Sequence, residues 1–90
     1  LAEIVDAVGD KLDVICEGGI HRGTHMLKAL SLGAKACSGG RLYLYALAAG
    51  GQAGVERAIE KYKAELVRDM KLMGCNKISD LNRNNLRFRT

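Results

Sequence analysis

Glu17-Gly18-Gly19-Ile20-His21-Arg22-Gly23 and Ser38-Gly39-Gly40-Arg41 are the stretches on which the fold turns. Each closes a short apolar run: Leu12 to Cys16 before the first, Ala34 to Ser38 at the second. Runs so short, bounded by glycine, read as buried strands followed by loops. Outward from them the pattern becomes helical. Leu1, Ile4, Val5 and Val8 share one helix face, and Gly9 stops it. Met26, Leu27, Leu30 and Leu32 predict a helix between the loops, with Thr24 placed to cap it and Gly33 to end it. Leu42 to Ala49 is apolar and reads as helix, broken by Gly50-Gly51.

A long helix is predicted over about 53–73. Val55, Ile59, Tyr62, Leu66, Met70 and Met73 step by three or four residues along one face. Lys61, Glu65 and Arg68 stand on its flank, spaced as solvated side chains are. Gly74 ends it, 78–83 offers one more turn, and 84–90 reads as a polar, basic tail. The order is helix, strand, helix, strand, helix, helix. Strands alternating with helices predict an α/β fold with parallel strands joined by right-handed crossovers.

Both glycine pairs suit an anion. Glycine lets backbone approach a ligand and adopt positive φ. N–H groups opening a helix favour negative charge, and a neighbouring arginine adds a forked, permanent donor. In a β/α barrel, two successive loops of this kind form a recurrent phosphate site. Either loop alone reads more readily as a plain turn; only the pair, in the same relation to a strand, points to a site. Neither carries the GK[ST] ending of a P-loop, and Gly18-Gly19 does not run as GxGxxG.

Size and composition bound the rest. Ninety residues make one small domain or a piece of a larger one. A core that small is marginal alone, burying only about 60–65% of the unfolded chain's surface. A first residue of Leu1 rather than Met hints at a fragment or processed product. The net charge of +4 fits a phosphate-bearing ligand without selecting one. Cys16, Cys37 and Cys75 are odd in number and none lies in a CxxC, so neither a zinc site nor a redox dithiol is indicated; Cys16 and Cys37, in apolar runs, read as small buried packing residues in a reducing compartment. The longest apolar stretch, Leu42 to Ala49, falls far short of the roughly 20 residues of a membrane span, and a cytoplasmic setting is expected. His21 and His25 lack a carboxylate to complete a metal site. Tyr43 and Tyr45 read as packing residues at a helix start. Arg83 to Arg89 is too short a basic cluster to predict nucleic-acid binding.

Several motifs together resemble one family. Gly18-Gly19-Ile20-His21-Arg22-Gly23-Thr24, Leu27-Lys28-Ala29-Leu30-Ser31-Leu32-Gly33-Ala34 and Gly40-Arg41 fall in its order and spacing. So do Leu44 to Gly51, Gly54-Val55-Glu56 and Met73-Gly74-Cys75. The chain resembles, from about Leu1 to Leu81, the C-terminal part of the FMN-dependent 2-hydroxy-acid dehydrogenases and oxidases. The resemblance implies the last two strand–helix units of a (β/α)8 TIM barrel, a closing helix, and FMN as cofactor. It implies an oxidoreductase that moves a hydride from a 2-hydroxy acid to FMN, giving a 2-oxo acid. Glu17, Gly18, Gly19, Ile20 and His21 fall on one FMN-binding stretch, and Gly40 and Arg41 on the other. The family usually has Asp at the position of Glu17, Arg at that of His21, and often Asp at that of His25.

The family's catalytic residues lie upstream of the matched region, so no catalytic residue is assigned and the chain alone is expected to be inactive. Two β/α units cannot close a barrel of about 250 residues, so self-association or union with the remaining barrel is expected. The alternative is a truncated, inactive phosphate- or nucleotide-binding module.

Overall fold

The computed structural model describes residues 1–89. The chain runs α1 (Ala2–Val8), β1 (Ile15–Glu17), α2 (Gly23–Leu32), β2 (Ala36–Ser38) and α3 (Arg41–Leu72). Short 3-10 turns follow at Ile78–Asp80 and Arg83–Asn85. The expected alternation is present, and β1 and β2 pair in parallel. The register sets Ile15 opposite Ala36, Cys16 opposite Cys37 and Glu17 opposite Ser38.

The strands differ from expectation in length and burial. Leu12 lies in the turn after α1, and the first strand begins only at Ile15. In both strands the middle residue is half-buried and its neighbours are exposed; Ile15 is 62% accessible. Successive strand side chains point to opposite faces. One face is covered by α2, as the Cys37 Sγ contact to the Met26 carbonyl at 4.0 Å marks. The other has no covering layer among the described residues.

The start of α2 corrects the reading of Thr24. Arg22, in extended conformation, is the residue before the helix, and it makes no side-chain cap. Thr24 sits inside the first turn and donates its hydroxyl across to Asp69 Oδ2 at 2.6 Å. Gly33 does end the helix, at φ 113°, and its N–H reaches the Ala29 and Leu30 carbonyls. The end of α2 meets α1 there: a Cβ on Gly33 would lie 2.7 Å from Val5 Cγ1.

Helix α3 contains both predicted helices. Gly51, at φ 61° and ψ −145°, interrupts it where Gly50-Gly51 predicted a break. The second arm ends at Leu72, with Met73 as its cap. The core lies between α2 and this second arm: Leu27, Met70, Cys75 and Leu81, with Leu30 and Leu66 packed against them. The apolar stripe is therefore only partly used. Ile59 is 43% accessible, and Tyr45 on the first arm, expected to pack, is 63% accessible. Neither belongs to this core.

Two further expectations change. Glu65 is not a solvated flank residue; it is 5% accessible and faces the start of α2. The basic tail is anchored at its beginning: Arg83 Nη2 donates to the Ala2 carbonyl at 3.3 Å and pairs with Asp6 Oδ1 at 2.8 Å. Thr90, the end of that tail, lies outside the described residues.

Candidate functional site

The loops after β1 and β2 meet beyond the C-terminal ends of the strands. Between them is a hollow of about 360 Å³ lined by Glu17, Gly18, Gly19, Ile20, His21, Ser38, Gly39, Gly40, Arg41 and Leu42. All seven residues singled out in the sequence are among them. Gly39, the first of the second glycine pair, lines it too, as do Ser38 and Leu42, to which no cofactor role was assigned. A larger concavity of about 530 Å³, between α2, the end of α3 and the tail, contains none of the seven.

The local backbone explains the glycines. Gly18 and Gly19 have φ of 103° and 71°, the left-handed region that side chains rarely adopt. Nothing lies within 4 Å of where their Cβ atoms would be, so this backbone is open to a ligand. On the other side, Gly40 precedes α3, whose start has no side-chain cap and no acidic residue in its first turn. Its first N–H groups are free of helical partners and carry the positive end of the dipole. Arg41, exposed, is the first residue of that helix. Glu17 reaches across: its Oε1 is 3.8 Å from the Cβ position of Gly40. The donor set thus fits a phosphate, with a carboxylate acceptor beside it.

His21 and Arg22 divide the roles that their adjacency suggested. The His21 backbone N–H donates to His25 Nδ1 at 3.1 Å, so His25 braces the loop from within α2. Arg22 turns away from the hollow. Its Nε and Nη2 donate to Glu65 Oε2 at 2.8 and 2.6 Å. Glu65 Oε1 also accepts the Gly23 N–H at 3.4 Å. The loop after β1 is therefore clamped at its far end by a carboxylate on α3.

The clamp carries a pH dependence. The Arg22 guanidinium holds the Glu65 carboxyl below its ordinary range, against the opposing effect of burial, with help from the Gly23 N–H. Thr24 and then Arg68 do the same for Asp69, again against burial. A carboxylate whose pKa is depressed on folding stabilises the fold above its unfolded pKa and loses that contribution as pH falls through the folded value. Stability measured by denaturant unfolding is expected to be steady near neutrality and to decline below about pH 4. Glu65→Gln is expected to flatten that decline; an unchanged slope would remove Glu65 from the clamp.

The comparisons with known proteins bear on this arrangement. A family profile described as FMN-dependent dehydrogenase matches residues 1–88. An L-lactate oxidase of Nostoc sp. is 48% identical over 81 residues, 90% of this chain and 22% of that protein. A peroxisomal (S)-2-hydroxyacid oxidase of Arabidopsis thaliana is 45% identical over 87 residues, 97% of this chain and 24% of its own length. Among solved structures, flavocytochrome b2 superposes with a TM-score of 0.88 at 43% identity, over 96% of this chain and 24% of that one. The (S)-mandelate dehydrogenase from Pseudomonas putida gives 0.91 at 36% identity, over 98% and 25%. The chain thus spans about a quarter of the length of these relatives.

Proposed function

Because the chain belongs to the FMN-dependent dehydrogenase family, we propose that it forms the C-terminal, phosphate-holding part of an FMN site in a 2-hydroxy-acid oxidoreductase. The observation that supports this reading is the meeting of all seven singled-out residues around one hollow beyond the ends of parallel strands. That is where barrel enzymes place phosphate groups. Arg41 and the free N–H groups opening α3 hold the phosphate; Gly18 and Gly19 bring backbone close to it. Glu17, which can only accept hydrogen bonds when ionised, suits the hydroxylated chain that joins phosphate to flavin ring. FMN, when bound, supplies the hydride acceptor, and the 2-hydroxy acid gives a 2-oxo acid.

The residues that would act on the substrate belong to the rest of a complete barrel, so the chain alone binds without turnover. The uncovered strand face and the exposed Leu44 and Leu47 of the first arm of α3 suit contact with the remaining barrel or with another copy. No helix among the described residues is long and apolar enough to cross a membrane. The cytoplasm is proposed as the compartment, although the Arabidopsis relative is named as peroxisomal.

FMN and riboflavin differ by the phosphate alone, and that isolates the claim. Titration followed by flavin fluorescence is expected to give saturable FMN binding at least about tenfold tighter than riboflavin, from charge-assisted hydrogen bonds to phosphate. Equal affinities, or no binding of either by the chain joined to its remaining barrel, would reject the phosphate assignment.

A further inference from the structure

Cys16 and Cys37, unrelated by sequence spacing, meet on the strands. Cys16 and Cys37 are register partners, directly opposite one another on parallel strands. Neighbouring strands lie about 4.8 Å apart, and directly opposed residues project to the same face. That face is the one toward α2, where the Cys37 thiol lies 4.0 Å from the Met26 carbonyl. Both sulfurs are free thiols and both residues are half-buried. Burial first, and Cys16 second, push the Cys37 thiol above its ordinary range, so the two groups sense each other. Cys75 is remote from them, in the core beneath α2 and the second arm of α3.

We propose that Cys16 and Cys37 form a cross-strand dithiol site that takes a trivalent arsenical as a bidentate ligand. Thiol sulfurs are soft ligands and select soft partners. The parallel ladder holds the two on one face, so little ordering remains for a ligand to impose. A direct disulfide, with an S–S bond of about 2.05 Å, requires Cβ atoms within roughly 3.5–4.5 Å. A bridging arsenic atom bonds to each sulfur separately and spans a wider gap. The exchange balances without any oxidant: an arsenoxide R–As=O and two thiols give R–As(S)₂ and one water. Two As–S bonds form, the As–O bond is lost, and the two thiol protons leave with the oxygen. Arsenic stays trivalent. The bridge ties together strands whose next residues, Glu17 and Ser38, line the hollow.

Phenylarsine oxide is the probe. The folded chain is expected to retain one equivalent, to lose two titratable thiols and to keep one. Cys16→Ser and Cys37→Ser are each expected to weaken retention about a hundredfold or more, since two-point attachment becomes one-point. Cys75→Ala is expected to leave it unchanged. The same titration in denaturing guanidinium is expected to weaken retention in the parent chain, which separates a preformed pair from any two thiols on one polypeptide. Retention that survives either serine variant, depends on Cys75, or is equally tight after denaturation would overturn the site.

Discussion

Gly23→Ala is expected to destabilise the fold by about 3 kcal/mol, the upper part of the usual range for overpacking a tight core. A Cβ at this position would lie 2.5 Å from Glu65 Cβ, 2.7 Å from the Leu66 amide nitrogen and 2.8 Å from the Tyr62 carbonyl oxygen. Two of these three atoms are backbone and cannot swing aside. The helices must separate, and with them go the Arg22–Glu65 clamp and the seating of Leu27 on Leu66 and Met70. Denaturant unfolding of the alanine variant measures the loss directly; a change below about 1 kcal/mol would mean that α2 and α3 do not approach as described. Because the clamp fixes the loop carrying Gly18 and Gly19, the same variant is expected to weaken flavin binding.

The second large effect concerns binding alone. Arg41→Ala is expected to weaken FMN binding by roughly tenfold to a hundredfold, the loss of a charge-assisted contact to phosphate. Arg41 is exposed at the start of α3 and no hydrogen bond or ion pair to another described residue holds it, so its removal leaves the fold intact. Arg22 provides the contrast. Although adjacent to the hollow in sequence, it is committed to Glu65. Riboflavin affinity is expected to be the same in the parent and in Arg41→Ala. A parallel loss for riboflavin would mean that Arg41 supports the ring or the loop instead of the phosphate.

The site was more legible in the sequence than its supports. Glycine pairs, a basic neighbour and a preceding apolar run are local signals, and the residues they single out, Glu17 to His21 and Gly40-Arg41, line one hollow. Gly33 and Gly51 were legible for the same reason, each stating a local backbone demand. What stayed hidden was long-range. Glu65 looked like half of an i,i+4 pair with Lys61, whereas its partner Arg22 lies 43 residues away. Thr24 looked like a cap because caps are local, but Asp69, 45 residues away in sequence, claims its hydroxyl. Nothing in the spacing of Cys16 and Cys37 states a strand register, which emerges only once β1 and β2 pair. Ile15 and Tyr45 are exposed because no further layer covers them among the described residues, which a count of apolar residues does not state.

The break at Gly51 has a mechanical meaning. Its φ and ψ lie where side chains other than hydrogen are strongly disfavoured, so α3 is two rigid rods joined at a single swivel. The first rod starts at Arg41, on the rim of the hollow; the second is bolted to α2 through Glu65, Asp69 and Met70. The torsions of one glycine therefore set the angle between the ligand-facing rod and the load-bearing one. A bulkier residue there is expected to re-aim the start of α3 at the hollow while leaving the core assembled, so that the proposed flavin binding weakens in a protein that still folds.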